Sequence, residues 1–212
     1  MMIGACSFLR KKRHHDDAAF YSHWLNVHGP LAAQLHGVTQ YLQSHFMADS
    51  PRTNDLARSL NVNGLAEMWF ETEADREICY ASEQEKVCDV DSLLFIGASA
   101  RVVTDVTPVK RPPREPAKGK RVFLFNADGT RELRSAFRAL SELPGITGIT
   151  DHLVTKPGAE PTQEREAVRI AVSRIVTVGA NEPRRLDRAQ DILLAGAGND
   201  VAVFDSTEHY LV

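Results

Sequence analysis

The sequence predicts an α+β fold made of two ferredoxin-like units in tandem, each with the element order β-α-β-β-α-β. Segments with the two-residue alternation of strands and the 3.6-residue period of helices follow one another in this order twice. The stretch Leu35-His-Gly-Val-Thr39 also recurs 108 positions later as Leu143-Pro-Gly-Ile-Thr147, as expected of a duplicated unit. We therefore expect two sheets that pack against each other within one chain.

A linker is predicted at residues 107–120. This stretch has four prolines and five basic residues, a composition that favours an extended spacer over a packed core. It divides the chain into a first domain at residues 1–106 and a second at residues 121–212.

The first domain begins with a buried strand at residues 2–9 and a charged loop from Arg10 to His15. We interpret this loop as a solvated turn rather than an anion site. Asp16 and Asp17 then precede a helix, where their carboxylates can accept bonds from free N–H groups. The apolar stripe of this helix is Phe20, Trp24, Val27, Leu31 and Leu35, and Gly37 ends it.

Phe20, Trp24 and His28 recur every fourth residue and so share one side of the helix. Gly29-Pro30 is predicted to interrupt the helix there, because proline lacks an N–H donor and clashes with the preceding turn. His28 is therefore placed beside a tryptophan at a helix break. It is either a catalytic imidazole or a core histidine bonded to a freed carbonyl group.

The next strand, residues 38–47, alternates between two faces. One of them carries four hydrogen-bonding side chains: Thr39, Tyr41, Gln43 and His45. This face is unremarkable if it is turned to water, and a binding site if it is turned to a cavity.

A loop at residues 49–63, a strand at 64–70, a helix from Thr72 to Asp91 with a break near Ser82, and a strand at 99–106 complete the first domain. The nine carboxylates between Glu67 and Asp91 are interpreted as a solvated helix face.

The second domain is predicted to hold strands at 121–127, 146–154, 166–179 and 201–205 and helices at 130–143 and 182–195. At the offset of the repeat, Glu132 and Ala136 stand where the first domain has Trp24 and His28. The second domain therefore has no recognisable site, and we expect one site per chain.

The composition is that of an ordinary globular protein, with 212 residues, 43% hydrophobic and 25% charged. A net charge of −3 argues against broad nucleic-acid binding, and no apolar run approaches the ~20 residues that span a bilayer. The first nine residues lack the length and cleavage site of a secretory signal, and three cysteines without Cys-x-x-Cys spacing do not indicate disulfides. The expected location is the cytoplasm.

No metal and no cofactor are predicted. The pairs Asp151-His152 and Glu208-His209 are isolated in the sequence, and neither a Gly-x-Gly-x-x-Gly motif nor a P-loop is present. The expected partner is a small-molecule substrate.

The first domain resembles the EthD family over about residues 2–106. The similarity is carried by Phe20-x3-Trp24-x3-His28-Gly-Pro-Leu, Gly37-x3-Tyr41-x3-His45, Gly64-Leu-Ala-Glu-Met-Trp-Phe70, and Phe95 with Arg101. It implies a dimeric α+β barrel, completed here as an intrachain pseudo-dimer, so that the chain is a monomer with further homodimerisation left open. It also implies that His28 and Tyr41 line a pocket between helix and sheet.

The resulting functional hypothesis is proton-transfer catalysis on a small, oxygenated, partly apolar metabolite, in the manner of an isomerase, cyclase, decarboxylase or oxygenase. His28 would move the proton and Tyr41 would bond the oxygen that gains charge. Substrate-binding roles are predicted for Phe20, Trp24, Gln43, His45 and Trp69. The alternatives are a haem or redox protein with a histidine ligand and a non-catalytic binding module.

Overall fold

The computed structural model of the protein describes residues 2–111, 113, 115–126, 133–157, 166–168, 170–195 and 200–212. Its strands are β1 (Met2–Lys11), β2 (Gln40–Phe46), β3 (Gly64–Phe70), β4 (Ile96–Lys110), β5 (Gly119–Phe125), β6 (Ile146–Pro157), β7 (Glu166–Ala167), β8 (Arg174–Ala180) and β9 (Val201–Tyr210). Its α-helices are α1 (Asp17–His23), α2 (Gly29–Ala32), α3 (Asp55–Leu60), α4 (Glu73–Tyr80), α5 (Glu83–Phe95), α6 (Arg134–Glu142) and α7 (Arg185–Leu194). A π-helical turn, Trp24–His28, joins α1 to α2.

Eight strands form a closed antiparallel barrel in the order β1-β3-β2-β9-β5-β8-β6-β4, and β4 pairs back onto β1. The short strand β7 adds to β4 in parallel orientation. The two halves of the chain meet where β2 pairs with β9 and where β4 pairs with β6. The α+β class and a barrel completed within one chain are thus confirmed.

Alternation along the strands separates the barrel interior from the surface that the helices cover. On β3, Leu65 and Trp69 point into the barrel, whereas Met68 and Phe70 pack against the helices of the first half. The outer face of the second half is covered in the same way by α6 and α7, which bury Leu140, Leu186 and Leu193. Two helix-covered outer surfaces therefore flank one barrel interior.

The first helix is widened rather than broken at Gly29-Pro30. The backbone N–H of Gly29 donates to the carbonyl oxygen of Trp24, five residues earlier. This π-helical turn accommodates Pro30, which has no N–H group to donate. The wider turn rotates Val27 out of the predicted apolar stripe, and its side chain is 46% exposed. Phe20 and Trp24 remain fully buried.

Helix ends follow the predicted capping residues closely. Asp16 accepts a 2.7 Å bond from the N–H of Ala19, and Ser82 caps α5 after the break in the second helical segment. The glycines matched by the sequence repeat, Gly37 and Gly145, both adopt a positive φ, of 74° and 85°. Glycine tolerates this conformation without the strain that a Cβ would bring.

Several predicted boundaries are corrected by the structure. The predicted loop at 49–63 contains α3, which Asn54 caps. The predicted strand at 166–179 is two strands, β7 and β8. The predicted linker is shorter, because β4 continues to Lys110 by pairing with β6 and β5 already begins at Gly119.

The predicted start of the helix at 130–143 and the equivalence of Glu132 to Trp24 fall outside the described residues, as does the end of the strand at 121–127. None of the helices in the described part of the chain has the length and apolar character to cross a membrane.

Candidate active site

A small cavity lies between the outer face of the first half of the barrel and the helices that cover it. Its volume is about 50 Å³, and its walls come from the π-helical turn, β2 and α5. Trp24, His28 and Tyr41 line it, together with Cys88 of α5 and Arg101 of β4. The structure thus brings together the two predicted catalytic residues and one predicted aromatic wall.

His28 is held by a carboxylate of α5. Its Nδ1 lies 2.9 Å from Oδ2 of Asp91, while the other oxygen of Asp91 lies 3.0 Å from Nε2 of His23. Phe95 packs against both imidazoles, with ring centroids at 5.2 Å from His28 and 4.7 Å from His23. Nδ1 of His28 therefore pairs with a carboxylate rather than with a carbonyl group freed by Pro30.

Trp24 lies directly on the backbone of β3. A Cβ added to Gly64 would be 2.5 Å from Cζ3 of the indole, so the glycine makes room for the ring. The indole N–H donates to the hydroxyl oxygen of Tyr41 at 3.2 Å. Gly64 thus allows Trp24 to reach the strand that carries Tyr41.

The hydroxyl oxygen of Tyr41 accepts a second bond, from Nε2 of Gln43 at 3.0 Å. The same amide nitrogen donates to the carbonyl oxygen of Trp24 at 3.0 Å, so its two hydrogens are both used. Burial raises the pKa of Tyr41 to about 12, although the bonds from Gln43 and Trp24 act in the opposite direction. Tyr41 is therefore a protonated phenol whose oxygen is already occupied by two donors.

His45 completes this network behind Tyr41. Its Nε2 lies 2.9 Å from Oε1 of Gln43, and its ring is stacked on Trp24 at 4.7 Å and on Tyr21 at 4.5 Å. Burial, with a smaller contribution from His209, lowers the pKa of His45 to about 3. A neutral imidazole that donates from Nε2 fixes the orientation of the Gln43 amide.

Of the predicted binding face of this strand, Thr39 is exposed, whereas the other three side chains are turned neither to water nor to an open cavity. Tyr41, Gln43 and His45 are buried under the first helix, and of these Tyr41 alone lines the small cavity. Phe20 is fully buried against Trp24 and Phe95 and lies outside the lining. Gln43, His45 and Phe20 therefore support the site rather than border it.

Trp69 was predicted to bind substrate and is elsewhere. It points into the barrel and is 2% exposed, because strand alternation places it on the face opposite Met68. The substrate-binding prediction for Trp69 at this cavity is therefore wrong.

Sequence reasoning missed the contribution of α5. Glu85, Cys88 and Asp91 are spaced by three residues and so face the first helix and β1, whereas all carboxylates of this segment were interpreted as solvated. Burial, and then the charge of Glu85, raises the pKa of Cys88 to about 11, so this thiol stays protonated. The three-residue spacing was the available signal for a buried acidic face.

The barrel interior holds a second group of charges that joins the two halves. Nζ of Lys120 lies 2.7 Å from Glu67 and 3.0 Å from Glu208, and Nε2 of His152 lies 3.2 Å from Glu67. The side chains of Lys120, Glu67 and His152 are at most 2% exposed. We call these four residues the lumen cluster.

Within the described residues, no group of three or more histidine, cysteine, aspartate or glutamate side chains is arranged to hold a metal ion. His152 and Glu208, each from a pair considered in the sequence, belong to the lumen cluster.

Solved structures with the same architecture cover nearly the whole chain. A candidate monooxygenase from Lactobacillus acidophilus NCFM is 6% identical, with a TM-score of 0.60 over 100% of this chain and 96% of that one. An anthrone oxidase-like protein is 10% identical, with a TM-score of 0.59 over 99% of this chain and 93% of that one. These similarities establish a shared fold.

An ethyl tert-butyl ether degradation (EthD) family protein from Bacillus halodurans C-125 is 18% identical over 50% of this chain and 98% of that one, with a TM-score of 0.42. No curated protein is detectably similar to the chain in sequence. Residues 12–98, which include Trp24, His28 and Tyr41, match the family model of the EthD domain.

Proposed function

We propose that the protein is an enzyme that moves a proton on a small, oxygenated, partly apolar metabolite, with His28 as base and Tyr41 as hydrogen-bond donor. One observation carries this proposal. The hydroxyl oxygen of Tyr41 already accepts bonds from Trp24 and Gln43, so its own hydrogen is left to bond an acceptor in the cavity that His28 also lines. A base and an oxyanion donor at one cavity are what this reaction requires.

The reaction would proceed by removal of a proton from a C–H group next to a carbonyl. Nε2 of His28 takes the proton, and the electron pair of the broken bond moves onto the carbonyl oxygen. Tyr41 donates its hydrogen bond to that oxygen, and Asp91 stabilises the imidazolium through Nδ1. Return of the proton to another atom of the enolate gives an isomer.

The name of one structural neighbour is compatible with such substrates. Anthrone is a carbon acid whose acidic C–H group is conjugated to a ketone through its aromatic rings, and the anthrone oxidase-like protein shares this fold. We infer that the substrate is likewise a ring compound with an acidified C–H group. The carbanion that His28 would generate is also the species that reacts with O2 in an oxygenation.

The haem alternative fails at one of its two candidate ligands. His45 is enclosed by Trp24, Tyr21 and Gln43, so it has no open face for an axial bond. The bond between Nδ1 of His28 and Asp91 suits a metal ligand at Nε2 as well as a base. A Soret band in the purified protein would therefore distinguish haem binding from the proposed reaction.

We further propose that the two halves, residues 1–106 and 121–212, are copies of one ferredoxin-like unit, of which the first kept the site. The strand order β4-β1-β3-β2 in the first half corresponds to β9-β5-β8-β6 in the second, and Gly37 and Gly145 share a positive φ. A monomer then supplies the whole barrel.

A cytoplasmic setting is supported by Cys6, Cys79 and Cys88, which are buried and unpaired.

The proposal is tested by proton exchange in D2O, which detects proton removal whatever the final product. Anthrone and a panel of cyclic ketones and lactones are incubated with the protein, and loss of the acidified C–H signal is followed by proton NMR. We expect catalysed exchange of at least one compound, abolished in His28→Gln and strongly reduced in Tyr41→Phe. Val27→Ala, an exposed site on the same helix, is the control.

Exchange that persists unchanged in both His28→Gln and Tyr41→Phe would overturn the assignment of these residues. Compounds that raise the melting temperature but never exchange would instead identify a binding module without catalysis.

A further inference from the structure

A second and larger cavity adjoins the first. Its volume is about 240 Å³, and it is bordered by Arg76 and Tyr80 of α4 and by Val102 and Val103 of β4. Ser7, Glu85, Asp89 and Arg101 border both cavities, so the two spaces share one wall. A cavity of ~150 Å³ already holds a benzene molecule, so this space admits a substituted ring.

Arg101 lies where the two cavities meet, and no described residue accepts a hydrogen bond from its guanidinium N–H groups. Its guanidinium forms ion pairs with Glu85 at 3.9 Å and with Asp89 at 3.6 Å, both longer than a hydrogen bond. Among the described residues, Arg101 donates no hydrogen bond, and its side chain is 27% exposed. A guanidinium carries five N–H donors in a planar fork that matches a carboxylate.

Arg76, on the other side of Tyr80, is already occupied. Its Nε and Nη2 donate two hydrogen bonds to Glu73, at 2.9 and 2.7 Å. Both guanidiniums contact the ring of Tyr80, at 5.5 Å for Arg76 and 5.6 Å for Arg101. Of these two arginines, Arg101 is therefore the one that can receive a ligand.

We propose that Arg101 binds the carboxylate of an aromatic acid whose ring occupies the larger cavity and whose reacting end reaches His28 and Tyr41. This inference rests on the proposed function, since it names the substrate class of the same site. The two carboxylates of Glu85 and Asp89 exceed the single charge of Arg101, so recognition depends on paired hydrogen bonds to the ligand carboxylate rather than on a net positive field.

The test is a binding measurement that requires no chemistry. The chain has two tryptophans, so Trp69→Phe leaves Trp24, at the wall of the small cavity, as the fluorescent reporter. In this background, 4-hydroxybenzoate and 4-hydroxybenzamide are titrated at pH 7. We expect the acid to bind about tenfold more tightly than its uncharged amide.

Arg101→Gln should abolish this preference for the acid without weakening binding of the amide. Arg101→Lys keeps the charge but lacks the fork, and should lose most of the preference. Arg138→Gln, at an exposed arginine of α6 that pairs with Glu142 and borders neither cavity, should retain it. Circular dichroism establishes that each variant is folded. If Arg101→Gln does not fold, the result for Arg101→Lys is the deciding one.

Equal affinities for acid and amide, no binding of either compound by the parent protein, or a preference that survives in both Arg101 variants would overturn the inference. His28→Gln separates it from the proposed function. A preference for the acid that survives in this variant, with no proton exchange in the parent protein, would support the Arg101 site and contradict the catalytic proposal. Proton exchange without any preference for the acid would support the catalytic proposal and contradict the Arg101 site.

Discussion

Oδ2 of Asp91 lies 2.9 Å from Nδ1 of His28, although 63 positions separate the two residues in the sequence. The bond joins the π-helical turn to α5 and assigns the two ring nitrogens different roles. A carboxylate on Nδ1 holds the hydrogen there and leaves Nε2 as the basic atom, in the manner of the histidine–aspartate pair of hydrolases.

His28→Gln is expected to reduce proton exchange by ~10²–10⁴-fold, because the amide cannot titrate near neutral pH. Asp91→Asn should reduce it by ~10²–10³-fold, since an amide at this position favours the wrong tautomer of His28. The matched control is His23→Gln, because His23 contacts the other oxygen of Asp91 and does not line the cavity. A loss in His23→Gln as large as that in His28→Gln would contradict the assignment.

Tyr41→Phe is expected to reduce turnover by ~10²–10³-fold, because it removes one hydrogen bond to the developing oxyanion. It should also lower the free energy of unfolding by ~1–3 kcal/mol, because Trp24 and Gln43 lose a buried acceptor. Tyr21→Phe is the same chemical change at a hydroxyl that donates to the carbonyl oxygen of Phe46, away from the cavity. Steady-state kinetics of the two variants should therefore differ. Equal rates for both would show that Tyr41 serves packing alone.

Lys120→Met should lower the free energy of unfolding by ~3–5 kcal/mol, because it leaves Glu208 without its buried cation and Glu67 with His152 alone. Lys156→Met is the control, as Lys156 forms an ion pair with Glu73 and its side chain is 50% exposed. An exposed pair of this kind contributes ~0–1 kcal/mol. Urea unfolding measures both losses, and similar values would show that the lumen cluster adds no stability.

Stability should be greatest between about pH 4.5 and 6.5. Burial would lower the pKa of His152, but Cys6 and Glu67 outweigh it and raise this pKa from 6.5 to about 10. The folded state therefore holds a proton that the unfolded state releases, and stability is lost as the pH rises from 6.5 towards 10. Burial would raise the pKa of Glu67, but Lys120 and His152 lower it from 4.5 to about 2, so stability is also lost below pH 4.5.

Urea midpoints measured across this pH range test the prediction. His152→Asn should flatten the alkaline side of the profile, whereas His36→Asn, at an exposed position, should not change it. An alkaline slope that is identical in the two variants would mean that another group causes it.

Features that depend on residues close together in the sequence were predicted well. The strand Gly64–Phe70 has its predicted bounds, Ser82 caps a helix at the predicted break, and Gly37 adopts a positive φ where the first helix was expected to end. Each of these features is determined by a few neighbouring residues. The nearness of Trp24, His28 and Tyr41 followed from the family resemblance and a helical period.

Features that depend on distant contacts were not predicted. Val27 was assigned to the buried stripe because a period of 3.6 residues was assumed, and the π-helical turn moved it outwards. Asp91 was assigned to solvent because its histidine partners lie on another helix. The extension of β4 to Lys110 depends on its pairing with β6, which no local pattern encodes.

Closure of the barrel by one chain has a consequence for how the protein can change. In a barrel built from two identical subunits every substitution enters the lumen twice, so a long cation introduced on one side must also fit on the other. Here each lumen position has its own codon. Lys120 can therefore extend from β5 while Gly4 on β1 leaves room for Thr104 and His152, since a Cβ there would clash with Oγ1 of Thr104. Selection on the first half of the chain can thus proceed without copying each change into the second half.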